Sequence, residues 1–396
     1  MAIPSGLTSA EYFALVKNNI IRPRYKFEFL NDDLTTKFEV IEDLVDNSGS
    51  INNIFNGEVG VRRTCSIKLN NIDKRYLPNP NTGTIWFGSQ FKLSLGLEDD
   101  SGNTYWSPNG VYVISSPESS NTSSQKDLQI QGIDKWSLLN GQISGEITET
   151  YEIPLGTNVY DAISAILAID RGNGYPYDSI EPKFDQSNST AVTSYTIREE
   201  QGGNYGNLIN KLCENIQSYG FYDEYGRLNI VSGTRDLSDN QKGSIYDFND
   251  SEIELIANSI SYNFENVKNS IRVVGMNING NIATGLAENT NPASSTRINL
   301  IGKRSQVIKV DTISSDSLAL DYANLLLKTA TMLNVSLNIN CTFMTHLDVN
   351  SVITLTSDYY GYDRVRFLIQ SINIPLAINS QIAIKATNVN DLPFSQ

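Results

Sequence analysis

Between Val335 and Phe343 every second residue is apolar (Val335, Leu337, Ile339, Cys341, Phe343), and Ser336, Asn338, Asn340 and Thr342 stand between them. A period of two gives an extended chain one dry and one wet face, which no helix reproduces. The pattern recurs in Tyr25, Phe27 and Phe29 against Lys26 and Glu28, and in Phe91, Leu93, Leu95 and Leu97 against Lys92, Ser94 and Gly96. Asn56-Gly57, Asp100-Ser-Gly102 and Asn109-Gly110 supply the positive φ that hairpin turns require. Residues 22–150 are therefore expected to form a first antiparallel β-barrel domain, and 251–396 a second with one embedded helix.

Helical spacing interrupts this pattern in three places. In an N-terminal arm, 1–21, Thr8 and Glu11 form a capping box ahead of Tyr12, Leu15, Val16 and Ile20. In a middle α+β domain, 151–250, Thr157 is the expected N-cap of a helix carrying Val159, Ile163, Ile166 and Leu167 on one stripe. A second stripe, Leu208, Leu212, Ile216 and Tyr219, is expected to stop at a left-handed Gly220. A hairpin over Phe221 to Ile230 follows, turning near Tyr225-Gly226. The third place is about Ser317 to Leu333, with Leu318, Tyr322, Leu325, Leu326 and Leu333 inward, after the polar stretch Asn289 to Thr296. The fold class expected is mainly β, two antiparallel barrel regions flanking a small α+β region.

At 396 residues with 40% hydrophobic content the chain can bury a large core. The 30 Lys and Arg are outweighed by 44 Asp and Glu, a net charge of −14, and an acidic surface repels phosphate backbones, so sequence-specific nucleic-acid binding is not expected. Cys65, Cys213 and Cys341 are odd in number and far apart, which suits buried small hydrophobes better than disulfides or a metal knuckle. No apolar run reaches the length of a membrane span. The start, MAIPSGLTSAEYFALVKNN, lacks a basic n-region and long apolar h-region, so a soluble intracellular product is expected.

Residues for chemistry are scarce. The single histidine, His346, enters a strand from Thr-His-Leu-Asp and reads as a turn or strand-edge residue. The paired carboxylates Glu98-Asp99-Asp100, Glu199-Glu200 and Asp223-Glu224 sit in turn-like polar segments. Gln201-Gly202-Gly203-Asn204-Tyr205-Gly206 lacks the Lys-Ser/Thr of a phosphate-binding loop and reads as a turn and helix start. Asp236 to Asp250 does not have EF-hand spacing. No catalytic, cofactor-binding or metal-binding residue is assigned, and no cofactor is expected.

Three segments together resemble the baseplate hub, or tail-tip hub, proteins of tailed phages and related contractile injection systems, a family that includes the N-terminal module of tail-associated lysin-type proteins. The first runs from Leu208-Ile-Asn-Lys-Leu-Cys-Glu-Asn-Ile216 through Tyr219-Gly-Phe-Tyr-Asp-Glu-Tyr-Gly226-Arg-Leu-Asn-Ile230. The second is Asn266-Val-Lys-Asn-Ser-Ile-Arg-Val-Val-Gly275, similar to the strand opening the family's next β unit. The third runs from Leu347-Asp348 through Val352-Ile-Thr-Leu-Thr356 and Phe367 to Ile374, then Gln381 to Lys385. Members often carry Gly-Asp before the Val-Ile strand, where this chain has Asn350-Ser351.

The resemblance implies a homotrimer at the distal end of the tail tube in the virion, assembled in the host cytoplasm, with two tube-like barrels per subunit facing a sixfold tube. It implies as partners the tail tube or distal tail protein, the tape measure protein, and a spike, fibre or lysin component below, with part of the DNA ejection channel formed by the ring. Because the chain stops at Gln396, soon after its last strand, a hydrolase or receptor-binding activity is expected on another polypeptide. A non-enzymatic structural role leads. The rivals are a cell-wall glycosidase using two of the turn carboxylates and a carbohydrate-binding tail adhesin.

Overall fold

The computed structural model describes residues 3–389, apart from 19, 42, 56–59, 61, 82–84, 124, 185–189, 217, 233–242, 263–264, 266, 279–280, 311–312, 333–334 and 380. The fold is mainly β, as the alternation requires. One thirteen-stranded sheet runs in the order Leu255–Tyr262, Val335–Cys341, Ile382–Asn388, Tyr362–Pro375, Ser50–Ile54, Arg63–Asn70, Lys126–Asp134, Thr104–Asn121, Gln90–Glu98, Arg22–Leu30 and Thr36–Val40. Val352–Ser357 branches from Tyr362–Pro375 and carries Ser244–Asn249 beside it.

Two antiparallel barrel regions were expected, and the pairing among the described residues is an open path joining both β-rich regions. The reason lies in Tyr362–Pro375, whose register shifts between Ile369 and Ser371. Its first half pairs with Val352–Ser357, and its second half lies antiparallel on Ser50–Ile54, Ser371 opposite Ile54 and Pro375 opposite Ser50. A strand from the first region thus satisfies an edge of the second. One apolar core follows, drawing Phe27, Ile51 and Phe91 together with Leu337, Phe367 and Ile384. Tyr25 and Phe343 meet edge to face at 5.9 Å.

The capping box forms as read, with Thr8 capping Ser9–Val16, and Tyr12 and Val16 are buried; Ile20 lies beyond the helix and is exposed. Asp100-Ser-Gly102 makes a hairpin turn with Gly102 at φ +85°. Asn109-Gly110 does not. Leu93 pairs with Gly110 and Ser94 with Pro108, so Asn109 is the extra residue of a bulge inside Thr104–Asn121. The Asn56-Gly57 turn lies outside the described residues.

Helices Val159–Leu167 and Tyr205–Asn215 share a second core with the Ser218–Tyr222 and Leu228–Ser232 hairpin, in which Leu208, Leu212, Leu228 and Ile230 are all buried. The first helix is capped by Asn158, one residue past the expected Thr157. Gly220 is not the stop of the second. That helix ends at Asn215, and Tyr219 and Gly220 already belong to the next strand, Gly220 opposite Ile230. The hairpin turns at Gly226, φ +72°, as expected.

A third core lies between Asp316–Met332 and a three-stranded sheet of Ser270–Ile278, Asn281–Glu288 and Ser305–Lys309. The innermost helix face is Ala319, Ala323 and Leu327, with Leu318, Tyr322 and Leu326 flanking it, one step round from the expected stripe. Gly285 explains the shift, because a Cβ there would stand 2.2 Å from the Leu320 backbone N, so only small residues fit where the elements approach. Leu333 lies outside the described residues. The polar stretch before the helix is a buried network: Asn289 Nδ2 donates to Ser294 Oγ and Thr296 Oγ1, both at 2.8 Å, and Asn269 Nδ2 to the Gly302 carbonyl at 2.7 Å.

Candidate functional site

His346 is a core residue and not a strand-edge one. Its Nδ1 lies 2.8 Å from the Tyr12 hydroxyl, and the rings of Tyr12, Phe13 and Tyr246 surround it. Burial lowers its pKa to about 4, which leaves the imidazole neutral near pH 7 and poorly placed to act as a base on solvent-borne substrate.

All but one of the turn carboxylates are engaged with named partners. Glu98 pairs with Arg24 and Asp100 with Arg22, both at 2.7 Å, while Asp99 accepts from the backbone N–H of Ser101 and Asn103. Those donors hold the Asp99 carboxyl below its ordinary range, the Asn103 side chain foremost. Glu199 lies against Lys211 at 2.5 Å, and exposed Glu200 pairs with Arg198 at 2.9 Å. Asp223 accepts from the Tyr225 and Arg227 backbones and from Asn229 Nδ2, and so shapes the hairpin turn. Glu224, next to it in that turn, is half-buried. Asn204 caps Tyr205–Asn215 through Asn207 N, so the Gly-rich stretch is the turn and helix start it reads as. Asp236 lies outside the described residues, and Asp247 pairs with Arg364 at 2.6 Å. Burial pushes the thiols of Cys65, Cys213 and Cys341 up, and all three are free. Among the described residues no three His, Cys, Asp or Glu stand together as a metal site, and no helix is long and apolar enough to cross a membrane.

Sequence reasoning missed a buried ionic junction where the sheet meets the middle lobe. Arg63 reaches Asp348 at 2.7 Å and donates to the Asn109 carbonyl at 2.9 Å, which gives the bulge a purpose. Asp134 accepts from the N–H groups of Arg62 and Arg63 at 2.6 and 3.0 Å. Lys135 pairs with Asp178 and donates to the Gly226 carbonyl at 3.0 Å. Burial pushes the Asp134 carboxyl up to about 6; burial also works against Asp348, but the surrounding positive charges, Arg63 foremost and Arg62 with it, together outweigh it and leave that carboxyl low. One signal was legible. Arg63 occupies the inward phase of Arg63, Cys65, Ile67 and Leu69.

The surface best suited to a partner is a sheet edge. Leu255–Tyr262 pairs with Val335–Cys341 on one side, and no described strand pairs with the other. Its sequence, LIANSISY, holds neither charge nor proline, and Ile256 and Tyr262 are 45% and 62% exposed. Soluble proteins guard such edges against pairing with another chain. The opposite edge, Thr36–Val40, is short and carries Lys37 and Glu39.

These features define a class before any particular relative: a large antiparallel sheet with an α+β lobe, an unguarded edge and ionisable groups locked in structural pairs. The chain has the fold of phage tail proteins, as the resemblance to the hub family implied. It is similar to a tail protein from Neisseria meningitidis MC58 at 12% identity and TM-score 0.62, over 93% of this chain and 99% of that one. It is similar also to the 43 kDa tail protein of prophage MuSo2 from Shewanella oneidensis, at 11% identity, TM-score 0.62 and the same coverage. A Francisella PdpA-VgrG complex matches at 10% identity and TM-score 0.54, over 98% of this chain and 62% of that one. No family model matches the chain, and no curated protein matches it by sequence. Asn350 stands where hub proteins often have glycine and adopts φ +62°, a conformation that asparagine tolerates better than most residues.

Proposed function

We propose that this chain is a structural hub of a phage tail tip or baseplate: a homotrimeric ring at the distal end of the virion tail, assembled in the host cytoplasm, without enzymatic activity. It joins a sixfold tail tube or distal tail protein to a threefold spike, fibre or lysin component, meets the tape measure protein, and forms part of the DNA ejection channel. In this reading the segments 1–21, 22–150, 151–250 and 251–396 act as arm, first β unit, middle lobe and second β unit. The observation that carries it is the match in fold to two tail proteins over nearly the whole of both chains. The unguarded edge Leu255–Tyr262 supports ring formation, since an open sheet edge is a ready template for a head-to-tail contact with the next subunit. The local pairing of Glu98, Asp100, Glu199 and Asp223 weighs against the glycosidase.

Native mass spectrometry of the full chain, with images of assembled tail tips, tests the proposal. Three copies in a ring around an axial hole are expected. A stable monomer inside the virion, a ring of six, or peptidoglycan cleavage lost on substituting Glu98 or Glu199 would overturn it.

A further inference from the structure

A cleft of about 540 Å³ opens where the large sheet meets the middle lobe. The turn after Arg22–Leu30 and the loop leading into Gln90–Glu98 form one wall, and the loop from Arg171 to Tyr175 lies in the other. Small-molecule sites of about 300–1,000 Å³ lie preferentially at such junctions. Three exposed rings stand around this one: Trp86 at 40%, Phe87 at 50% and Tyr175 at 38%. The other two tryptophans are sheltered, Trp136 buried and Trp106 half-buried. Ile85 aims the exposed pair. It is buried with φ +49°, an outlier for a β-branched residue, and the next residues close into a turn in which Trp86 N–H donates to Ser89 Oγ at 3.0 Å and Ser89 Oγ donates back to the Trp86 carbonyl at 2.6 Å. Strain of this kind persists only where the surrounding structure imposes it. The Tyr175 loop is set as firmly: Asp170 Oδ1 accepts from the N–H groups of Gly172 and Gly174 at 2.7 and 3.0 Å.

Two polar groups lining the cleft lack partners. Gln90 is 6% exposed, and its Oε1 meets no hydrogen-bond donor among the described residues; the Arg171 side chain is 10% exposed, and its Nε meets no acceptor. Buried polar atoms are nearly always satisfied, so an unmet acceptor and an unmet donor in one cleft point to a ligand that supplies both. The last torsion of glutamine is soft, which lets the amide turn its oxygen to a ligand at little cost. Arg171 Nη2 lies 3.7 Å from Asp32 Oδ1, an ion pair too long for a hydrogen bond, so both groups keep bonding capacity.

We infer that this cleft binds a neutral saccharide. A pyranose has apolar C–H faces that lie flat on aromatic rings, and a rim of hydroxyls, each able to donate and to accept. Trp86, Phe87 and Tyr175 supply the rings, Arg171 donates to a sugar oxygen, and Gln90 and Asp32 accept from hydroxyls. The ligand is neutral because the lining is balanced, Asp32 and Asp33 against Lys37 and Arg171. A proline-rich peptide also docks on aromatic grooves, but its proline nitrogens carry no hydrogen to donate to the Gln90 oxygen. The inference goes beyond the hub reading and does not depend on it, since each subunit holds the whole cleft.

Calorimetry and tryptophan emission, with the full chain titrated by neutral trisaccharides of glucose, galactose and N-acetylglucosamine, test the inference. At least one sugar should bind with a Kd of about 1 mM or tighter and change the emission. Trp86→Phe should keep the binding and lose the emission change. Trp86→Ala and Arg171→Met should each weaken binding at least about tenfold, while Tyr359→Ala, at an 87% exposed ring outside the cleft, leaves it unchanged. Thermal melting of the same preparations should show Trp86→Ala folded as the wild type is, because that ring is already exposed. Absence of binding by all three sugars at about 10 mM would overturn the inference, as would binding that survives Trp86→Ala, or a proline-rich peptide binding where no sugar does.

Discussion

Tyr12 and His346 lie 334 positions apart in the chain, and their side chains meet at 2.8 Å, hydroxyl to Nδ1. The same hydroxyl accepts from the Thr345 backbone N–H at 2.9 Å, so the N-terminal helix is fastened to the loop entering Val352–Ser357. The burial of His346 at this contact sets an acid sensitivity. His346 has a folded pKa of about 4 against about 6.5 unfolded. Its contribution is therefore fully present above pH 6.5 and is lost as the pH falls toward 4, about 3 kcal/mol in all. Asp134, raised to about 6, acts in the opposite sense over much of that window. The readout is therefore a difference: the gap in stability between wild type and His346→Gln should narrow by about 3 kcal/mol between pH 7 and pH 4 in urea titrations. A gap constant with pH would show that the imidazole titrates in the fold as it does in the unfolded chain.

The ionic junction predicts a non-additive pair. Lys135→Met leaves the Asp178 carboxylate buried without its cation, a change that costs about 3–5 kcal/mol. Replacing both, Lys135→Met with Asp178→Leu, should recover most of the loss, because two apolar groups need no partner. Chemical denaturation of the two single variants and the double variant gives the coupling.

Leu212 is fully buried between the middle helices and the hairpin bearing Leu228 and Ile230. Leu212→Ala should cost about 2–5 kcal/mol and lower the melting temperature clearly. An unchanged melting curve would contradict the packing described for this lobe.

Ile256→Lys places a charge on the unguarded edge at a position already 45% exposed. The isolated chain should keep its stability to within about 0.5 kcal/mol. Ring assembly should fail, because the lysine guards the edge as charged residues do in soluble sheets. Native mass spectrometry and thermal melting, run on the same preparation, check both parts.

Local rules made much of this protein legible. Alternation marked Arg22–Leu30, Gln90–Glu98 and Val335–Cys341, and capping chemistry marked the start of Ser9–Val16, because each depends on neighbours a few residues apart. Where sequence and structure part, a distant contact is responsible. Asn109-Gly110 has the composition of a turn, yet Arg63, 46 residues away, takes the Asn109 carbonyl and the pair becomes a bulge. The helix at Asp316–Met332 presents Ala319 and Ala323 to its sheet ahead of Leu318 and Leu325, because the sheet backbone at Gly285 comes close to Ala319 and Leu320. Two barrels became one open sheet because Ser371–Pro375 found Ser50–Ile54, a pairing that period-two patterns permit but cannot choose. The cleft beside Trp86 likewise exists only in the tertiary structure. Asp32, Trp86 and Arg171 are scattered along the chain, and only the packing of the middle lobe against the sheet brings them to one cleft.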